Sequence, residues 1–187
     1  MSVFDCFQFF NEEHILDLRL NILHEFVDFF VIVESTCDHQ GNLKKLNFDQ
    51  NKFKKFQNKI IYVPVTDMPD GPNPWDREHF QRNCITRGLT KAEDEDLVIV
   101  SDLDEIPNPS KIREFNSKNK FAGFNQRFFY YKLNMLNKSE PNWMGSRICV
   151  NKYLKSPQWL RGLKFKKRPF WRIDKINLNN IIEDGGW

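Results

Sequence analysis

Two short runs without a polar residue constrain the fold most, residues 29–33 (FFVIV) and 97–100 (LVIV). Neither approaches the ~20 apolar residues that cross a bilayer, and neither alternates as a strand wetted on one face does. A run of this kind fits a strand buried on both faces of a parallel sheet. Residues 3–9 and 60–65 read as further strands, and 121–133 as one or two more. Helical patterns lie between them. Asn11 can cap a helix over 12–26, residues 48–59 fit a short helix, and 75–89 a longer one. Asn108-Pro109 opens another, with Pro at the first helical position. Pro69, Gly71, Pro72 and Pro74 mark a loop. Strands alternating with helices predict an α/β fold, a mostly parallel central sheet flanked by helices. The 187 residues suit one domain with a full core.

With 40% hydrophobic and 28% charged residues, the chain has a globular composition. Its net charge of +3 is too small to argue for nucleic acid. The charge is uneven, however. Residues 93–105 are acid-rich and 164–172 basic, a pairing that suits an anionic ligand carrying a metal. Cys6, Cys37, Cys84 and Cys149 form no CxxC pair, which points away from zinc and towards reduced thiols in a cytoplasmic protein. Asp5 and Glu12 interrupt the N-terminal apolar run, so no secretory signal is expected, nor any membrane span.

Directly after the run at 97–100 stand Asp102 and Asp104. On extended backbone, side chains two apart point the same way. Two converging carboxylates repel unless a cation lies between them. Oxygen ligands of this kind suit Mg²⁺ or Mn²⁺, with diphosphate oxygens and water completing the shell. Open α/β sheets bind ligands beyond the carboxyl ends of their strands, which is where this pair falls. A solvated acidic turn is the alternative. A phosphohydrolase using Asp102 as nucleophile also places DxD after an apolar strand, but that motif opens its fold and carries Thr or Val where Glu105 stands here.

Five segments resemble glycosyltransferase family 17, the bisecting β-1,4-N-acetylglucosaminyltransferases. They are residues 7–21 (FQFFNEEHILDLRLN), 27–41 (VDFFVIVESTCDHQG), 75–89 (WDREHFQRNCITRGL), 96–107 (DLVIVSDLDEIP) and 185–187 (GGW). They follow the family's order, and WDRE, FQRN and SDLDEIP together are far more specific than DxD alone. The resemblance implies a GT-A-like, Rossmann-like fold. It also implies a UDP-sugar donor carrying N-acetylglucosamine, a glycan acceptor, inversion at the anomeric carbon, and Mn²⁺ or Mg²⁺ on Asp102 and Asp104. A non-catalytic nucleotide-sugar-binding remnant of such an enzyme is the alternative. The family's animal members carry a membrane anchor, and none is expected here. The family also continues past GGW with His-Phe-Ser, the His serving as a further metal ligand. The expectation is therefore a chain that binds UDP and metal but transfers sugar poorly.

Other residues take roles on this footing. Arg19 falls inside the apolar face of the first helix and needs an acid, Asp5 or Glu34, or a phosphate. Glu34 and Ser35 end a strand where a nucleotide would lie, and can bond uracil or ribose, or simply a loop. Arg77 and Gln81, one helical turn apart, and Arg82 suit diphosphate, or form a solvated face. The histidines, His14, His24, His39 and His79, show no metal spacing; His39 shares a loop with Asp38 and Gly41 and can touch the donor, though a plain surface role is the stronger reading. An inverting transferase needs a carboxylate to accept the acceptor hydroxyl's proton. In the GT-A fold it comes late, so Asp184 and then Glu183 are the candidates, with Trp187 available to stack on a sugar. Residues 164–172, with Phe165, Phe170 and Trp171, can face diphosphate or acceptor, or form a basic surface strand.

Overall fold

A computed structural model describes residues 1–130, 135–165 and 180–187. The chain order is β1 (Val3–Gln8), α1 (Glu13–Leu23), β2 (Phe29–Ser35), β3 (Ile60–Val65), α2 (Pro74–Asn83), β4 (Leu97–Ser101), α3 (Pro109–Arg113), β5 (Phe121–Arg127), β6 (Asn142–Val150), α4 (Pro157–Arg161) and β7 (Ile181–Ile182). The described strands form one sheet in the order β3-β2-β1-β4-β6-β5-β7. Strands β3, β2, β1 and β4 run parallel, β6 is antiparallel to both β4 and β5, and β7 returns parallel to β5. The α/β fold with a mostly parallel, Rossmann-like sheet is as expected.

The two apolar runs are the sheet's centre, and their lack of polar residues follows from burial on both faces. Phe30 and Ile32 of β2 and Ile99 of β4 pack with Leu16, Leu20 and Leu23 of α1. Their neighbours Val31, Val33, Val98 and Val100 face the other way, onto Ile85 and Leu160 of α4. Alternation at period two therefore feeds two separate cores, one under each helical layer. The four cysteines are free thiols and buried. Among the described residues no helix is long and apolar enough to cross a membrane.

Three expectations change locally. Residues 48–59 form turns and a single 3-10 turn at Lys54–Phe56 rather than a helix. Phe53 and Phe56 are buried there, and the Phe48 amide donates to Glu34 instead of to a helical carbonyl. The helix expected over 75–89 stops at Asn83 and tightens into a 3-10 segment, Cys84–Gly88. Gly88 lies so close to Val31 that a Cβ would overlap it, with Val63 also in tight contact, and the tighter turn is what lets the backbone approach β2 and β3. Asn11 does not cap α1; Glu12 holds that position and folds its carboxylate back onto the amides of Phe10 and Asn11. Asn108 does cap α3, accepting from the Ser110 amide.

Candidate active site

The strand order reverses between β1 and β4, and a crevice at such a point, outside the carboxyl ends of the strands, is where open α/β sheets bind ligands. A cavity of about 900 Å³ lies there. Its floor is the turn that follows β4, whose residues Asp102 to Glu105 all line it. Residues 37–39, just past β2, form one wall with Gln81 of α2. The opposite wall is aromatic, built from Phe128, Phe129, Trp143 and Trp187.

The turn is held from several sides. Arg19, fully buried in α1, forms a two-pronged ion pair with Asp5 of β1 at 2.6 and 2.8 Å. Its other N–H groups donate to Ser101 Oγ at 2.6 Å and to the carbonyls of Asp102, Leu103 and Glu105 at 3.0–3.1 Å. On the far side, Trp187 and Ile106 exchange both backbone hydrogen bonds. Gln126 adds donors to the carbonyls of Ile106 and Trp187.

Both Asp102 oxygens are engaged, Oδ1 by Arg82 at 3.1 Å and Oδ2 by Arg161 at 2.9 Å. Burial alone would raise its pKa, but the guanidiniums of Arg161 and Arg82 outweigh it and hold the carboxyl below its usual range. Glu105 goes the other way. Burial pushes it up, and the neighbouring Asp102 charge adds to this despite Arg161. Glu105 Oε1 accepts from Arg161 at 2.6 Å and from the Trp143 indole N–H at 2.7 Å, while Oε2 accepts from the Asp102 amide. Asp104 is exposed, and among the described residues its carboxylate has no partner. It is the carboxylate of the pair left open to a ligand.

The remaining expected site residues divide. Gln81 lines the cavity, donating to the Val33 carbonyl and bonding His39 Nε2 at 3.0 Å. His39 lines it too. Arg82 is buried beneath, holding Asp102, Glu78 and Gln158, and its Nε has no partner among the described residues. Arg77 donates to the carbonyls of His39 and Gly71, so it braces loops rather than facing the cavity. Glu34 and Ser35 also stay out. Glu34 is fully buried and accepts from Lys44, Tyr62 and the amides of Asn47 and Phe48, which folds the following loop over the strand end. Ser35 Oγ accepts from the Cys37 amide. The carboxyl edge of β2 does reach the cavity, but through the next residues, Cys37 to His39.

Glu183 and Asp184 are exposed and do not line the cavity. Glu183 accepts from Asn125, and Asp184 sits at φ 52 with its carboxylate 4.0 Å from Arg127. The pairing of Gly185 with Asn125 and Asn108 fixes this turn at the rim. Arg19 meets Asp5, not Glu34. Of the basic stretch, residues 166–172, including Phe170 and Trp171, lie outside the described residues; Phe165 is buried against Arg147. The structure adds Arg161 and Trp143 to the site. Arg161 ends a helix of only five residues, and nothing in the sequence around it marks a partner.

A sequence model of glycosyltransferase family 17 matches residues 1–158. The beta-1,4-mannosyl-glycoprotein 4-beta-N-acetylglucosaminyltransferases of Homo sapiens and Rattus norvegicus are each 29% identical over 107 residues, which are 52% of this chain and 20% of theirs. The chain thus spans about a fifth of the length of the curated relatives it matches. Among solved structures, a 2-C-methyl-D-erythritol 4-phosphate cytidylyltransferase of Francisella tularensis superposes with a TM-score of 0.42 and 11% identity, covering 81% of this chain and 74% of that one. The match to the family runs through the DxD turn, the His39–Gln81 wall and all of the aromatic wall but Trp187, and on that match the chain belongs to glycosyltransferase family 17.

Proposed function

We propose that this chain moves a sugar, N-acetylglucosamine, from a UDP-sugar to a saccharide hydroxyl with inversion at the anomeric carbon. One observation carries the reading: in a family 17 chain, Asp102 and Asp104 line a cavity at the sheet's switch point, with Asp104 open. The nucleotide would lie across the ends of β1 and β4, between the turn and the His39–Gln81 wall. The acceptor would meet the aromatic wall, where ring faces suit the apolar faces of sugars.

The donor set fits a hard divalent cation such as Mn²⁺ or Mg²⁺. Among the described residues no three His, Cys, Asp or Glu side chains converge as a ready-made site. Asp102 and Asp104 would therefore hold a cation only with diphosphate oxygens and water, as Mg²⁺-type sites commonly do. When bound, the cation stabilises charge on the leaving diphosphate. Arg82 and Arg161 keep Asp102 ionised at neutral pH.

The acceptor hydroxyl must pass its proton to a carboxylate. Exposure outside the cavity weighs against Asp184 and Glu183, the candidates from sequence, whereas Glu12 and Asp38 line it. A phosphohydrolase with Asp102 as nucleophile has no observation in its favour.

The test is UDP release from a panel of nucleotide sugars with Mn²⁺ and a glycan acceptor, alongside UDP affinity by calorimetry in Mn²⁺ and in EDTA. The reading expects UDP release with N-acetylglucosamine as the preferred sugar, and tighter UDP binding with metal. Equal UDP affinity in both buffers together with no release from any donor overturns it.

A further inference from the structure

We propose that Arg19 is a positioning residue for the cation-diphosphate site: from inside the core it sets the shape of the Asp102–Glu105 turn without touching the ligand. The inference rests on the function proposed above and adds to it the residue on which the carboxylate geometry depends.

An ion pair with Asp5 would occupy only one edge of the guanidinium, Nε and one Nη2 hydrogen. The other edge does different work. The second Nη2 hydrogen meets Oγ of Ser101, the last residue of β4, and the two Nη1 hydrogens are shared among the carbonyls of Asp102, Leu103 and Glu105. Three carbonyls gathered on one buried cation turn their oxygens towards the core. The same turn presents Asp102 and Asp104 to the cavity. The Leu103 carbonyl has no other donor among the described residues, so losing Arg19 leaves a buried acceptor unsatisfied and the turn free to re-form. Asp5 holds the guanidinium in register from the strand beside β4, and the Phe7 ring lies 4.6 Å beneath it. The clamp is therefore built from β1, α1 and β4 together.

Geometry matters here because Mg²⁺-type sites demand near-octahedral ligands at fixed distances. Groups that orient the ligands of a metal site typically change its affinity on the order of 10–100-fold when removed. A lysine cannot replace the arginine, because one ammonium can meet Asp5 or the carbonyls but cannot span both.

Arg19→Lys and the milder Ser101→Ala are compared with the parent chain by thermal melting, by UDP calorimetry in Mn²⁺ and in EDTA, and by hydrogen exchange at residues 102–105. For Arg19→Lys the expected result is a folded protein whose UDP affinity in Mn²⁺ falls about tenfold, with affinity in EDTA unchanged and faster exchange confined to the turn. Ser101→Ala should move the same quantities in the same direction by about two- to threefold, a small fraction of the loss expected for a full ligand-orienting group. A folded Arg19→Lys protein with unchanged affinity in Mn²⁺, or with equal losses in both buffers, overturns the proposal. If Arg19→Lys does not fold, Ser101→Ala decides, and unchanged exchange at 102–105 overturns it. If the parent chain shows no metal effect on UDP and releases UDP from no donor, the proposed function fails on its own, and the exchange measurement alone decides whether the clamp exists.

Discussion

Two acidic segments of this chain invite the same chemistry and are built in opposite ways. Asp102 to Glu105 stands on a buried guanidinium, is gripped by Arg82 and Arg161, and lines the cavity. Glu183 and Asp184 sit on a rim turn in solvent, with an asparagine and a distant arginine for company. The difference teaches that a fixed backbone is not enough: the rim turn is held as well, by the pairing of Gly185 with Asn125 and Asn108, but its carboxylates do not line the cavity.

The sharpest way to break the comparison is to exchange charges. Asp104→Asn should lower sugar transfer at least ~100-fold, because it removes the carboxylate left open for a cation at the leaving group, while Glu183→Gln and Asp184→Asn should stay within about threefold, as expected of groups out of reach of the reacting proton. Steady-state rates that rank these variants the other way would return the base to the rim. Next in size is Arg161→Met, which strips a buried partner from both Asp102 and Glu105 and should cost ~2 kcal/mol in urea unfolding. Its counterpart Arg127→Met, beside exposed Asp184, should cost less than ~1 kcal/mol. Equal costs would mean that the turn is no better held than the rim.

Gly186→Ala should destabilise by ~1–3 kcal/mol, because Gly186 has φ 126 and an added Cβ would collide with the backbone of Ile106 and Asn108. Trp187 fluorescence should shift with it, since the same segment pairs with Ile106. A melt and emission spectrum identical to the parent's would show that the rim does not brace the cavity. The smallest effect separates two acids of one turn. Asp102 has a lowered pKa, so its contribution is present above the ordinary carboxylate value near ~3.9 and is lost as pH falls through its lower folded value. Glu105 has a raised pKa, so its contribution is present below the unfolded value near ~4.3 and is lost as pH rises through the folded one. At pH 7, Asp102→Asn should therefore cost more stability than Glu105→Gln. The reverse order would show that the two guanidiniums do not favour Asp102.

The sheet and its switch point are legible in the sequence because a short, unbroken apolar run demands burial on both faces of a strand. Asp102 and Asp104 are legible because they follow such a run directly. Arg19 is legible as a problem, a charge on an apolar face, and Asp5 as one of two answers. Its grip on the turn is not, because backbone carbonyls leave no trace in side-chain identity. Arg77 and Arg82 mislead for a related reason: the spacing of a polar helix says which residues share a face, not whether that face looks to a ligand or inward. Glu34 ends its strand at the expected edge, yet the loop after it carries the amides that consume it. Of residues 164–172, which could face diphosphate or acceptor or form a basic surface strand, 166–172 lie outside the described part of the chain.

The reciprocal bonds between Ile106 and Trp187 join residues far apart along the chain, and the grip of Arg19 on the same turn comes from near its start. Loop closure over such separations is slow and comes after local structure. During vectorial synthesis the parallel strands β1 to β4 can pair before β7 exists, so the turn acquires its core-side anchor first and its rim-side anchor last. Competence to bind a ligand should accordingly be among the last properties gained as the polypeptide folds, well after the helices have docked.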